Sequence, residues 1–201
     1  SVELMKEFGA LSTLLAGVHL ELTRNRNDGI LRGLVVRISK LSLRLVGETC
    51  EHRGELQLAL ARMIFESFVN VEWLIEGPDS RFRAFTIGGM RADRDLWQRI
   101  RSNIDARGGE VLPIEARMLR SLEGKFSLAG VEVREILGSR HNNWPSFEDR
   151  LADVTLTVRD YSVFQMGSHA IHGTWMDLAT YHLKTDGSFE GHLSWSLERP
   201  H

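Results

Sequence analysis

The chain has 201 residues, a formal net charge of −2 and 42% hydrophobic residues. That is enough apolar material for one buried core, and too little net charge to steer a partner by its overall field. Four prolines favour long helices over a loop-rich β-sandwich, and the lone Cys50 excludes an internal disulfide and fits a reducing compartment.

In chain order, residues 2–24 carry Leu4, Phe8, Leu11, Leu14, Leu15, Val18 and Leu22 at helical spacing. The early Glu3, Lys6 and Glu7 do not have the layout of a signal peptide. No run reaches the roughly 18 apolar residues of a membrane span, so no membrane partner and a cytoplasmic location are expected. A start at Ser1 in place of methionine suggests a trimmed or processed chain. Asn25-Arg26-Asn27-Asp28-Gly29 has turn chemistry, with Asp28 as the N-cap of a second helix over about 30–47. Ile30, Leu31, Leu34, Val35, Ile38, Leu41 and Leu45 line one side of that helix, and Arg37, Lys40 and Arg44 another.

Residues 54–76 are apolar nearly all round, which predicts a central helix ended by Gly77-Pro78. Residues 80–106 predict one helix broken near Gly88-Gly89, or two, and Pro113 opens a helix over 113–128. A short helix at about 147–152 and a long last helix over about 155–180 follow. Alternation around Asp186-Gly187 then predicts a β-hairpin at about 180–196. The expected fold is a single all-α domain over 1–201, a bundle of about five to seven helices with a small C-terminal β-hairpin.

Two polar clusters interrupt this apolar background. Arg62, Glu66 and Asn70 recur every fourth residue of the central helix, either as a solvated stripe or as a buried network facing another helix. Ser168, His169 and His172 fall within the last helix, where Ser168 and His172 share a face. Buried polar groups are costly unless paired, so His172 is read first as a core histidine bonded to Ser168 and a neighbouring helix. A metal site would need three or four converging ligands, and His169 and His172 are the only close pair; Asp177 is assigned to solvent near the helix end. No metal and no cofactor are expected. A nucleophilic Ser168 lacks a Gly-x-Ser-x-Gly elbow and sits where serine usually bonds its own carbonyl ladder. Arg24, Arg26, Arg32, Arg37, Lys40 and Arg44 fall among 21 residues with one acid, Asp28. They form a solvated face or a phosphate-binding one, without the interleaved aromatics that single-stranded nucleic acid favours.

The central Arg62-x-x-x-Glu66 and the late Ser168-x-x-x-His172-Gly173-Thr174, about a hundred residues apart, resemble a widespread bacterial all-helical family of unknown function. The resemblance implies that Arg62, Glu66, Ser168, His172 and Thr174 are its recurrent polar positions; Phe164 stands where that family often has tyrosine. The architecture is also similar to helical HEPN ribonucleases of toxin and phage-defence systems, which carry an arginine four to six residues before a histidine. Neither His172 nor His169 has an arginine at that distance, and Arg140 is directly adjacent to His141. The resulting expectation is a helical module acting in interaction or defence, with a homo-oligomer or partner protein, or with RNA or a nucleotide through Arg37, Lys40 and Arg44. The alternative is a hydrolase of RNA or nucleotides, with His172 as acid/base, Arg62 stabilising phosphate charge, and Glu66 and Ser168 beside them.

Overall fold

The structure is a computed structural model that describes residues 3, 6, 7, 9–11, 14, 25–138, 144–154 and 161–183. The expected first helix lies largely outside the described residues, and those described within it are helical. The elements are α1 (Arg26–Cys50), α2 (Gly54–Ile75), α3 (Ser80–Gly89), α4 (Arg91–Ala106), α5 (Pro113–Leu128), α6 (Val133–Gly138), α7 (Phe147–Asp153), α8 (Ser162–His172) and α9 (Trp175–Asp177). A π-helical turn, Leu178–His182, closes the described chain. The fold is therefore all-helical among the described residues, with more helices than five to seven. The 80–106 segment divides at Met90, and short helices form at Val133–Gly138 and Trp175–Asp177.

Two C-terminal expectations are corrected. The last helix does not run to residue 180: Gly173 takes the left-handed conformation, φ 56° and ψ 46°, and ends α8. The expected hairpin does not begin at residue 180 either, because Thr180 and His182 belong to the π-helical turn; Leu183 turns extended, and 184–196 lie outside the described residues.

The chain divides into two compact units, Ser1–Glu76 with Phe147–His201, and Gly77–Ser146. In the first, α1 and α2 form an αα-hairpin through a three-residue turn in which His52 adopts φ 56°. Asn25, and not Asp28, caps α1: its side chain accepts the Asp28 N–H at 2.9 Å, so the turn-like residues 26–29 form the first helical turn. Helix α2 packs against α1, α7 and α8, which is why it is apolar on so many sides. Val69 and Leu74 are fully buried, and Trp73 donates from its indole N–H to Asp153 Oδ2 at 3.1 Å. Glu48, 1% exposed near the end of α1, is held by Arg44 and by Arg53, 3.7 Å away.

The second unit has its own core of Ile100, Ile104, Leu119, Leu122, Phe126, Val131 and Ile136. Pro113 occupies the first turn of α5, as expected, and Glu115 accepts the Leu112 N–H at 3.0 Å while pairing with Arg107. All of the candidate functional residues belong to the first unit.

Candidate functional site

The polar line on α2 meets α8 at Gly167. A Cβ there would sit 2.4 Å from Arg62 Cβ and 2.7 Å from the Leu58 carbonyl oxygen, so the close approach of the two helices requires glycine. With its stem against Gly167, Arg62 lays its guanidinium over the Phe164 ring, 4.2 Å from the centroid. Phe164 in turn stacks on Phe147 at 4.0 Å and 10°, and Arg150 lies 5.8 Å from the Phe147 centroid. The result is a column of two phenyl rings flanked by two guanidiniums. Phe65 closes on Phe147 edge-on at 5.7 Å, and Tyr161 stacks beside Phe164 at 5.4 Å.

The two cations are treated differently. Arg150 is 3% exposed and lies 3.6 Å from Glu66, whose side chain is 40% exposed. Burial pulls the Arg150 pKa below its usual value, and Glu66, Glu148 and Asp149 oppose that pull. Arg62 is partly exposed, yet its Nε and Nη1 are buried and find no acceptor among the described residues. Charged donors left in that state cost about 1–3 kcal/mol or more. A cation–π contact returns about 0.5–2 kcal/mol, so Phe164 offsets only part of it. Next to Arg62, Tyr161 donates its hydroxyl to Glu148. That bond, with burial, raises the Tyr161 pKa, and Arg62 draws it the other way. Asn70 is 8% exposed with Oδ1 lacking a hydrogen-bond donor among the described residues.

The Ser168–Thr174 stretch ends a helix. Ser168 donates to the Phe164 carbonyl at 2.7 Å, which is the carbonyl-ladder bond available to a mid-helix serine. Gly173 supplies the left-handed residue, and the Thr174 N–H reaches the His169 carbonyl at 3.3 Å. The Thr174 hydroxyl pairs with His169 Nδ1 at 2.8 Å. His172 is exposed in the last turn, where a histidine complements the helix dipole; it is not the core histidine bonded to Ser168. Asp177, assigned to solvent from the sequence, is 5% exposed and lies 3.3 Å from His182 Nε2. The π-helical turn sets this i,i+5 pair face to face.

The structure pairs Glu66 with Arg150 and leaves His172 exposed, so no contact between Glu66 and His172 is found among the described residues. Leu58 and Arg62 touch Gly167 while Arg62 reaches Phe164, so α2 and α8 run antiparallel. Glu66 lies one turn from Arg62 toward the start of α8, and His172 lies five residues beyond Gly167 toward its end. At about 1.5 Å per residue they are roughly 13 Å apart along the helices. Sequence reasoning missed Phe147, Arg150 and Tyr161. The i,i+3 pairs Phe147/Arg150 and Tyr161/Phe164 were visible, but nothing in them indicated which helix they would cover.

A separate basic surface lies on α1. Arg37 and Lys40, both exposed, line a shallow groove of about 340 Å³ with Gly33, Val36 and Leu41. Arg37 donates from Nε to the buried Ser67 hydroxyl at 3.2 Å. Arg44 is paired with Glu48. Among the described residues, no three or more His, Cys, Asp or Glu side chains gather as a metal site would require, and no helix is long and apolar enough to cross a membrane.

A family of unknown function, DUF5677, matches residues 28–190. The chain belongs to the DUF5677 family. This agrees with the helical family of unknown function that its Arg-x-x-x-Glu and Ser-x-x-x-His-Gly-Thr elements imply. The DUF5677 match takes in α2, the Arg62/Phe164/Phe147/Arg150 column and the cap of α8. No curated protein and no solved structure matches the chain.

Proposed function

We propose that this chain is a helical binding module that takes a phosphate-bearing ligand, RNA or a nucleotide, on the α1 face. In this reading Arg62, Glu66, Ser168 and His172 organise the α2–α8 pair and do not perform chemistry together. The observation that carries the proposal is the groove at Gly33, where Arg37 is braced from behind by Ser67 and Lys40 stands exposed one turn on. A braced guanidinium loses less side-chain freedom on meeting a phosphate, and its remaining N–H groups suit oxyanion geometry. Among the described residues nothing lies within 4 Å of where a Gly33 Cβ would project, which leaves room for a sugar–phosphate backbone there. With no aromatic residue lining the groove among the described residues, affinity comes from phosphates and discriminates little between bases.

The test is fluorescence anisotropy of a labelled single-stranded RNA over a range of salt concentrations. Wild type is expected to bind with affinity that falls steeply as salt rises. Arg37→Ala with Lys40→Ala should weaken binding about equally for different sequences and reduce the log–log salt slope by roughly 1–1.5. Binding by the double variant equal to wild type, or no salt-dependent binding by wild type, contradicts the proposal.

The hydrolase alternative uses His172 and Arg62 on the same substrates. His172 is reachable from solvent, which favours it. The antiparallel offset, which carries His172 away from Glu66, and the packing of Arg62 over Phe164 argue against a shared centre.

A further inference from the structure

We propose that the Arg62 guanidinium binds a single oxyanion, a phosphate or carboxylate group, at the Phe164–Tyr161 edge of the α2/α8 pair. This site is independent of the basic groove on α1. The argument starts from charge. The aromatic column holds two guanidiniums, and the carboxylates beside it are already engaged: Glu66 faces Arg150 at 3.6 Å, and Glu148 accepts the Tyr161 hydroxyl. Arg62 is left with no ion pair among the described residues, and its buried Nε and Nη1 have no acceptor there. A ring face satisfies the charge in part and the N–H groups not at all.

Geometry supplies the rest. The Arg62 stem is fixed against Gly167 and its planar head is seated on Phe164, so the donor fork is oriented before any ligand arrives. Arginine in such a position recognises an oxyanion through paired N–H···O bonds, which a lysine ammonium cannot reproduce. The side chain is partly exposed while its Nε and Nη1 are buried, so an anion must enter the edge beside the neighbouring Tyr161 and Phe164 rings to reach that fork, which limits it to a compact group. One charged group is expected, since Arg62 is the guanidinium of the column left without an acceptor among the described residues.

The test measures thermal unfolding of the whole chain, titrated with inorganic phosphate and, separately, with acetate at constant ionic strength. A ligand bound only by the folded state raises Tm in a saturable way. Wild type is expected to show this shift with at least one of the two anions, and the more effective one identifies the group. Arg37→Ala with Lys40→Ala should retain a shift, and in that double variant Arg62→Gln should abolish it and Arg62→Lys should weaken it. No saturable shift in wild type with either anion overturns the proposal. So does a shift that survives Arg62→Gln in the α1 double variant, or one that is already absent from the α1 double variant. If the Arg62 variants fail to fold, the arginine Nε–H resonances of wild type decide. One resonance protected from solvent exchange should move with phosphate or acetate, and protected resonances that stay fixed with both anions overturn the proposal.

Discussion

Gly167 is the residue on which the α2–α8 pair depends. Its missing side chain lets Arg62 and the Leu58 carbonyl occupy the space a Cβ would need, at 2.4 and 2.7 Å. The obstruction includes backbone, so a Gly167→Ala variant cannot be accommodated by moving a flexible side-chain tip. Forcing the helices apart is expected to cost about 1–3 kcal/mol, read as a lower midpoint in urea unfolding. It should also lift Arg62 away from Phe164. An unchanged midpoint would mean that the two helices are not in close contact. At this scale Arg62 and Glu66 were legible in the sequence, because charges at every fourth position of an otherwise apolar helix stand out. Their partners were not. Phe147, Arg150 and Tyr161 come from a distant segment, and one sequence with periodicity as its only guide pairs no segment with another.

At the scale of elements, the His172-Gly173-Thr174 stretch is a stop signal. Gly173 sits at φ 56° with nothing within 4 Å of a would-be Cβ, so its need for glycine is conformational and not steric. Gly173→Ala is expected to cost about 1 kcal/mol through the left-handed penalty alone, measurable as a drop in Tm without loss of the α2–α8 contact. An alanine variant as stable as wild type would remove the cap from the account. The sequence reading ran the helix through this glycine because apolar spacing continues across it; periodicity registers which side chains are apolar and is blind to the sign of φ. Helices α1, α2 and α5 and the break between α3 and α4 were legible for the opposite reason, since pattern, proline and glycine all agree there. The start of α1 was missed by several residues because asparagine, aspartate and glycine read as a loop, when Asn25 was serving as the cap.

Over the whole molecule, a net charge of −2 conceals an uneven distribution. Helix α1 alone carries Arg26, Arg32, Arg37, Lys40 and Arg44 against Asp28 and Glu48. Arg44 is spent on Glu48, and Arg37 and Lys40 remain beside the groove. The polar residues that first suggested a reaction centre are distributed along two helices: Arg62 packs on Phe164, Glu66 faces Arg150, Ser168 bonds the Phe164 carbonyl, and His172 is exposed. The central claim, a module that binds without cutting, is tested most directly by incubating labelled RNA with purified protein and reading binding and fragment length in the same sample. The account predicts RNA that is bound, salt-released and intact. It also predicts that His172→Ala, at an exposed helix end, changes neither binding nor stability by more than about 0.5 kcal/mol. Time-dependent cleavage by wild type that is lost in a folded His172→Ala variant would contradict it and make His172 a catalytic residue.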